Sequence, residues 1–202
     1  MNLPNSLTLT RMFLVPLLVV VLLTRFEGRQ ILGVPKEIIG AVIFAIASLT
    51  DWADGYLARR RKQITPLGQV MDPLADKLLT SAALISLVQM DMAQSWMVVV
   101  ILGREFAVTA VRSLAYARGV PMPASSLGKI KMVAQVVAIL ALLLAHGGRR
   151  EFYLIGQAAL WVVVIAALVS GADYFRRFNL VIAPRLPDVR IPHDPRTGRG
   201  DG

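Results

Sequence analysis

The sequence predicts an all-α polytopic membrane protein with six transmembrane helices. Apolar segments recur along most of the chain, and each with its flanks approaches the roughly 20 residues that cross a bilayer as helix. Lys and Arg collect on alternate connections between those segments. Carboxylates gather where the second and third segments meet.

The first segment, about 7–25, carries an unbroken apolar run around Pro16 from Phe13 to Leu23. A signal peptide is the competing reading, but the residues before the run are weakly basic and no small-residue cleavage pattern follows Leu23, so a retained span is expected. The second, 36–60, starts apolar and turns polar within one helical register; about 25 residues at about 1.5 Å each outrun a hydrocarbon core of about 30 Å, so its polar end should reach the interface. Further spans are expected at 73–91, 94–117, 126–146 and 152–177. Asp72-Pro73 resembles an N-cap followed by proline at the first helical position, which would start the third span there. With five exceptions (Arg25, Arg29, Lys36, Arg149 and Arg150), the 22 Lys and Arg fall on one side, so both termini are expected in the cytoplasm. Residues 1–182 form the membrane domain. Residues 183–202, with Pro184, Pro187, Pro192 and Pro195 among glycines and arginines, read as a disordered basic tail.

Composition narrows the function classes. With 55% hydrophobic against 17% charged residues and a mean hydropathy of +0.60, the chain is too apolar for an ordinary water-soluble domain of 202 residues. No cysteine is present and only two histidines, His146 and His193, so disulfides, thiolate chemistry, Fe–S clusters and Cys- or His-rich zinc sites are excluded. A net charge of +9 would suit nucleic acid, but the hydropathy places it beside anionic lipid instead, and no nucleic-acid partner is expected.

Charges inside or beside apolar spans are costly and mark function by default. Here they form one run, with Asp51, Asp54, Gly55, Ala58 and Arg59, then Gly68, Asp72 and Asp76. At about 100° per residue, Asp51, Asp54, Gly55 and Ala58 share one helix face, and Asp72 and Asp76 share a face of the next helix. Four carboxylates so close would repel one another unless protonated or bound to cations, and two divalent ions balance them. All-oxygen ligation favours Mg²⁺ or Mn²⁺. A pair of such ions suits in-line displacement at phosphorus. Gly55 and Ala58 clear room for a phosphate-bearing ligand, and Arg59 offers it charge. The residues alone leave two other readings open: a structural ion-pair network with Arg59 to Lys62, and a divalent-metal transporter.

The run resembles the signature of the CDP-alcohol phosphatidyltransferases, D-x-x-D-G-x-x-A-R, eight residues, then G-x-x-x-D-x-x-x-D, and meets it with no departure. The similarity extends over most of the chain. It takes in Leu3 to Thr8 with Arg11, the stretch from Gly103-Arg104-Glu105 to Arg112, and Gly128 to Lys131 with Gln135. It implies six helices, a catalytic cavity at the cytoplasmic side, a homodimer, and displacement of CMP from CDP-diacylglycerol by the hydroxyl of sn-glycerol 3-phosphate. By position, Asp51, Asp54, Asp72 and Asp76 would hold two divalent cations, and Asp76 would also be catalytic, as the base. Gly55, Ala58, Arg59 and Gly68 would bind CDP-diacylglycerol. A dianionic acceptor asks for a basic pocket, for which Arg104, Arg112, Lys129, Lys131 and Arg11 are the candidates. Inositol phosphate would ask for similar charge, and phosphatidylglycerol is a further alternative acceptor.

Several residues have plainer expectations. Arg59 to Lys62 as a whole should anchor at the interface, Lys77 can snorkel there, and Arg104 and Glu105 can simply pair with each other. Trp96, Trp161 and Tyr153 read as interfacial belt residues. Gly40, Gly103 and Gly156 read as packing contacts, and His146 as inert.

Overall fold

The computed structural model describes residues 3–24, 30–31, 33–61, 66–117, 126–145 and 147–182. Six helices follow in order: α1 (Leu3–Leu23), α2 (Lys36–Arg61), α3 (Pro66–Gln89), α4 (Ser95–Ala117), α5 (Ser126–Leu144) and α6 (Arg150–Ile182). Between α1 and α2 lies a minimal antiparallel ladder, β1 (Gln30–Ile31) and β2 (Val34–Pro35), which pairs Ile31 with Val34. Gly33 closes it at φ +80°, where a side chain would be strained. Lys36 then donates from Nζ to the carbonyls of Leu22 at 2.7 Å and Thr24 at 3.2 Å, satisfying acceptors left open at the end of α1.

α5 packs along α6, α1 against α2 and α3, α4 against α6, and α2 against α5. Phe44, Leu79, Leu84, Leu87, Met97, Ile139, Leu142 and Leu160 are fully buried between them. The opposite faces are also apolar. Phe13, Val20, Ile46, Ile85, Val99, Phe106, Val133, Ile155, Ile165 and Leu168 are all exposed, so these helices are hydrophobic nearly all round. Trp96 and Trp161 stack edge-on with centroids 5.6 Å apart, and both are exposed, as is Tyr153.

Helix limits agree closely with the sequence pattern for α2 and α4 and differ for α3. The expected start at Asp72-Pro73 is not a start: α3 opens seven residues earlier, at Pro66, and runs through both. Pro66 takes the first helical position, where a missing N–H costs nothing. Pro73 is the eighth residue, an interior position at which proline cannot donate to the carbonyl of Gln69, and the helix nevertheless runs through it. The far end of α3 closes with the 6→1 and 5→2 pattern of a Schellman cap, in which Met92 N donates to Leu87 O at 2.9 Å and Asp91 N to Val88 O at 3.0 Å. Asp91 takes the left-handed residue of that cap, at φ 57°. α6 is longer at both ends than expected, at 33 residues. The tail from 183 and His146 lie outside the described residues.

Among the described residues one helix segment, Arg150–Tyr174, is by itself long and apolar enough to cross a membrane, and Met12–Leu23, Lys77–Gln89 and Ile130–Leu144 are shorter apolar stretches. α4 carries Arg104, Glu105 and Arg112 along its length, so no long stretch of it is free of charge.

Two of the three glycines expected at helix contacts are there. A Cβ on Gly40 would lie 2.4 Å from Leu22 Cδ2, and one on Gly156 would lie 2.7 Å from Leu142 Cγ and 3.0 Å from its backbone N. Gly103 is the exception: it is exposed, and nothing lies within 4 Å of its Cβ position. Leu22 can swing its side-chain end aside, whereas the Leu142 backbone cannot, so Gly156→Ala should force α5 and α6 apart. We expect a loss of about 1–3 kcal/mol, in the range of core overpacking. Gly103→Ala should be neutral or gain up to about 1 kcal/mol through helix propensity. Thermal unfolding of the purified protein in detergent checks both, and an unchanged midpoint in Gly156→Ala would refute the close contact.

Candidate active site

Asp51, Asp54, Gly55, Ala58 and Arg59 all fall in the last eleven residues of α2, and Gly68, Asp72 and Asp76 in the first eleven of α3. The connection between the two helices is four residues, 62–65, so both sets lie at one end of an adjacent, contacting helix pair. Each aspartate pair is separated by about one helical turn on its own helix. The side chains of all eight residues lie outside the described residues, as do those of Arg11 and Lys129. Ala75 and Leu79, beside them on α3, are buried.

Among the described residues, a second charged cluster is basic. Arg104, from the middle of α4, donates from Nε to Ser170 Oγ of α6 at 2.9 Å and from Nη1 to Glu105 Oε1 at 2.6 Å. Its guanidinium carbon stands 5.8 Å from the centroid of the Tyr174 ring, a cation–π distance. Ser170 can accept from Arg104 because its own hydroxyl proton goes to Ala166 O, at 2.5 Å. The helix neighbour Gly171 also lies beside Arg104: a Cβ there would meet Arg104 Cγ at 3.7 Å, an ordinary contact. Glu105 Oε1 also accepts from Lys131 Nζ of α5. Three helices therefore meet at two cations and one carboxylate.

Burial makes the pairing obligatory. The Lys131 side chain is 4% exposed, that of Arg104 11% and that of Glu105 25%. An ammonium that deep needs a counter-charge, because desolvation is otherwise uncompensated. Of the five basic candidates, the structure brings Arg104 and Lys131 together, through Glu105. Arg112 is exposed and takes no part in this cluster. The sequence raised the local Arg104–Glu105 pair, which is present, but not the reach of Glu105 to α5, nor Ser170 and Tyr174. A glycine, a small hydroxyl and an aromatic within one turn of α6 are the only signal, and nothing local links them to a residue 66 positions away.

Comparison with known proteins identifies the class. Residues 1–169 match the family model described as CDP-alcohol phosphatidyltransferase, and the chain belongs to that family. Among its relatives is the CDP-diacylglycerol–glycerol-3-phosphate 3-phosphatidyltransferase of Bacillus subtilis (strain 168), 48% identical over 183 residues, spanning 87% of this chain and 94% of the relative. The enzyme of the same name from Rickettsia felis is 34% identical over 177 residues, spanning 87% and 94%. A protein of Mycobacterium tuberculosis (strain ATCC 25618 / H37Rv) described as a probable phosphatidylglycerophosphate synthase is 38% identical over 176 residues, spanning 87% and 81%. The family match includes all four aspartates, Arg104, Glu105 and Lys131; Ser170 and Tyr174 lie just beyond it.

Proposed function

We propose that this protein transfers the phosphatidyl group of CDP-diacylglycerol to sn-glycerol 3-phosphate, giving phosphatidylglycerophosphate and CMP. The observation that carries the reading is the complete eight-position signature across α2 and α3 in a chain whose relatives bear the name of that reaction. The basic cluster supports the choice of acceptor, because a phosphate-bearing alcohol needs cations that a neutral one does not.

The donor set fits two hard divalent cations. Four carboxylates, two per helix at one end of a contacting pair, offer only oxygen, the ligand that Mg²⁺ and Mn²⁺ prefer. Asp51, Asp54, Asp72 and Asp76 would hold them, and when bound they would withdraw charge from the attacked phosphate and from the departing CMP oxygen. Asp76 accepts the proton of the attacking acceptor hydroxyl. The hydroxyl oxygen forms a bond to the phosphorus bearing diacylglycerol, and the bridging bond of the diphosphate breaks, releasing CMP. Gly55, Ala58 and Gly68 leave room for the cytidine diphosphate portion and Arg59 balances its charge. Arg104 and Lys131 receive the acceptor phosphate, and Lys129, Arg11 and the separately placed Arg112 add positive charge on its approach.

A lipid substrate asks for a membrane setting, and the apolar outer faces of all six helices support one. We read the six helices as membrane spans in a bacterial inner membrane, with both termini and the α2–α3 end cytoplasmic, the cavity open to that side, and the protein a homodimer.

The test is CMP release by purified protein given CDP-diacylglycerol and, in turn, glycerol 3-phosphate, serine, inositol 1-phosphate and phosphatidylglycerol. Glycerol 3-phosphate should give the highest kcat/KM. A better acceptor among the other three would overturn the choice of substrate while leaving the family intact, and no CMP release with any of them would overturn catalysis itself.

A further inference from the structure

Glu105 stands between two cations that come from different helices, and its position does more than form a pair within α4. Its neighbour Arg104 is already held by Ser170 Oγ and stacked near Tyr174. Lys131 is carried by α5 and is nearly fully buried, with Glu105 among its partners. We infer that Glu105 is a positioning residue for the acceptor phosphate, fixing the Lys131 ammonium and the Arg104 guanidinium in one arrangement before the phosphate arrives. The inference rests on the proposed reading that these two cations meet that phosphate.

Three features favour positioning over simple neutralisation. The three side chains by themselves sum to a net positive charge, two cations against one carboxylate. Arg104 spends only two of its five N–H donors, Nε on Ser170 and one on Glu105, which leaves most of its planar fork for a second anion. Long Lys and Arg side chains also lose much rotamer freedom when they bind a ligand, and a cation fixed in advance has already lost it. Ser170 and Tyr174, beyond the family match, complete the clamp from α6.

A double-mutant cycle tests this, with Glu105→Gln, Lys131→Met and both together, each assayed for kcat and for the KM of both substrates. Glu105→Gln should raise the KM for glycerol 3-phosphate about tenfold or more, the factor that a charge-assisted hydrogen bond commands, and leave that for CDP-diacylglycerol within about twofold. Glu105→Asp, which keeps the charge and shortens the reach, should recover part of the loss. Because Glu105 acts largely through Lys131, the rise in the double variant should fall well short of the product of the two single rises. A rise equal to that product, or equal shifts in both KM values, would overturn the inference, since a merely structural carboxylate produces either. If Lys131→Met leaves the glycerol 3-phosphate KM unchanged, the acceptor reading itself falls; if it raises that KM and Glu105→Gln does not, only the positioning role falls. Should Glu105→Gln fail to fold, Glu105→Asp and the charge-free double variant compared with Lys131→Met supply the same contrast.

Discussion

Removal of divalent cations should abolish transfer, and Mg²⁺ or Mn²⁺ should restore it. The expectation comes from four aspartates and no other ligand type at the α2–α3 end. Asp51→Asn, Asp54→Asn and Asp72→Asn each keep the size of the side chain and delete one negative charge. Asp76→Asn deletes the proposed base as well. Each should lower turnover by at least about 10²-fold, with Asp76→Asn the most severe because loss of a general base alone commonly costs 10²–10⁴-fold. Assay of CMP release at saturating and limiting Mg²⁺ separates the two roles. In Asp51, Asp54 and Asp72 variants, part of the loss should be recovered at high metal, whereas in Asp76→Asn a large deficit should persist at saturation. Full activity in EDTA would end the two-cation account. Wild-type turnover in Asp76→Asn with unaltered metal dependence would place the base elsewhere.

The second large effect is on acceptor affinity. Lys131→Ala should raise the KM for glycerol 3-phosphate by roughly 10- to 150-fold, from the about 1.5–3 kcal/mol carried by a hydrogen bond to a charged group. Arg112→Ala should act in the same direction but less strongly. Arg112 is exposed and Lys131 buried, and the same ionic contact is worth more where solvent is excluded. Neither should shift the KM for CDP-diacylglycerol comparably. Steady-state kinetics with each substrate varied in turn decides the matter. If both variants weaken only the CDP-diacylglycerol interaction, these cations belong to the nucleotide side and the acceptor assignment fails.

The helices were legible where a change of composition coincides with a helix end. α2 was expected at 36–60 and runs 36–61, because the ladder and Lys36 lie on one side of it and the Arg59-Arg60-Arg61 run on the other. α3 was not, because its first turns hold two prolines, Pro66 and Pro73, each locally acceptable as a first helical residue. Choosing between them depends on whether tertiary packing tolerates one missing backbone bond inside the helix, which no local pattern encodes. Gly103 shows the same limit from the other side: small residues permit close packing, but only the neighbouring helix decides whether it occurs. At the site, the aspartates stood out because charge in an apolar setting is costly at any position. The clamp on Arg104 did not, since Ser170 and Tyr174 are ordinary residues for an apolar helix and acquire meaning only when α6 lies against α4.

The length of α6 acts as a depth gauge for the site. At about 1.5 Å per residue, Ser170 and Tyr174 lie about 30 and 36 Å along the axis from Arg150. With Arg150 at one boundary of a hydrocarbon layer of about 30 Å, both residues reach the opposite headgroup plane. Arg104, tied to them, is held at that level too. If the cluster receives the acceptor phosphate as proposed, a water-soluble phosphate would meet its cations without leaving the aqueous edge, while a lipid-borne diphosphate would arrive at the same height by sliding sideways within its own leaflet. On that proposal the two reactants would approach along perpendicular routes, and neither would have to cross the other's solvent.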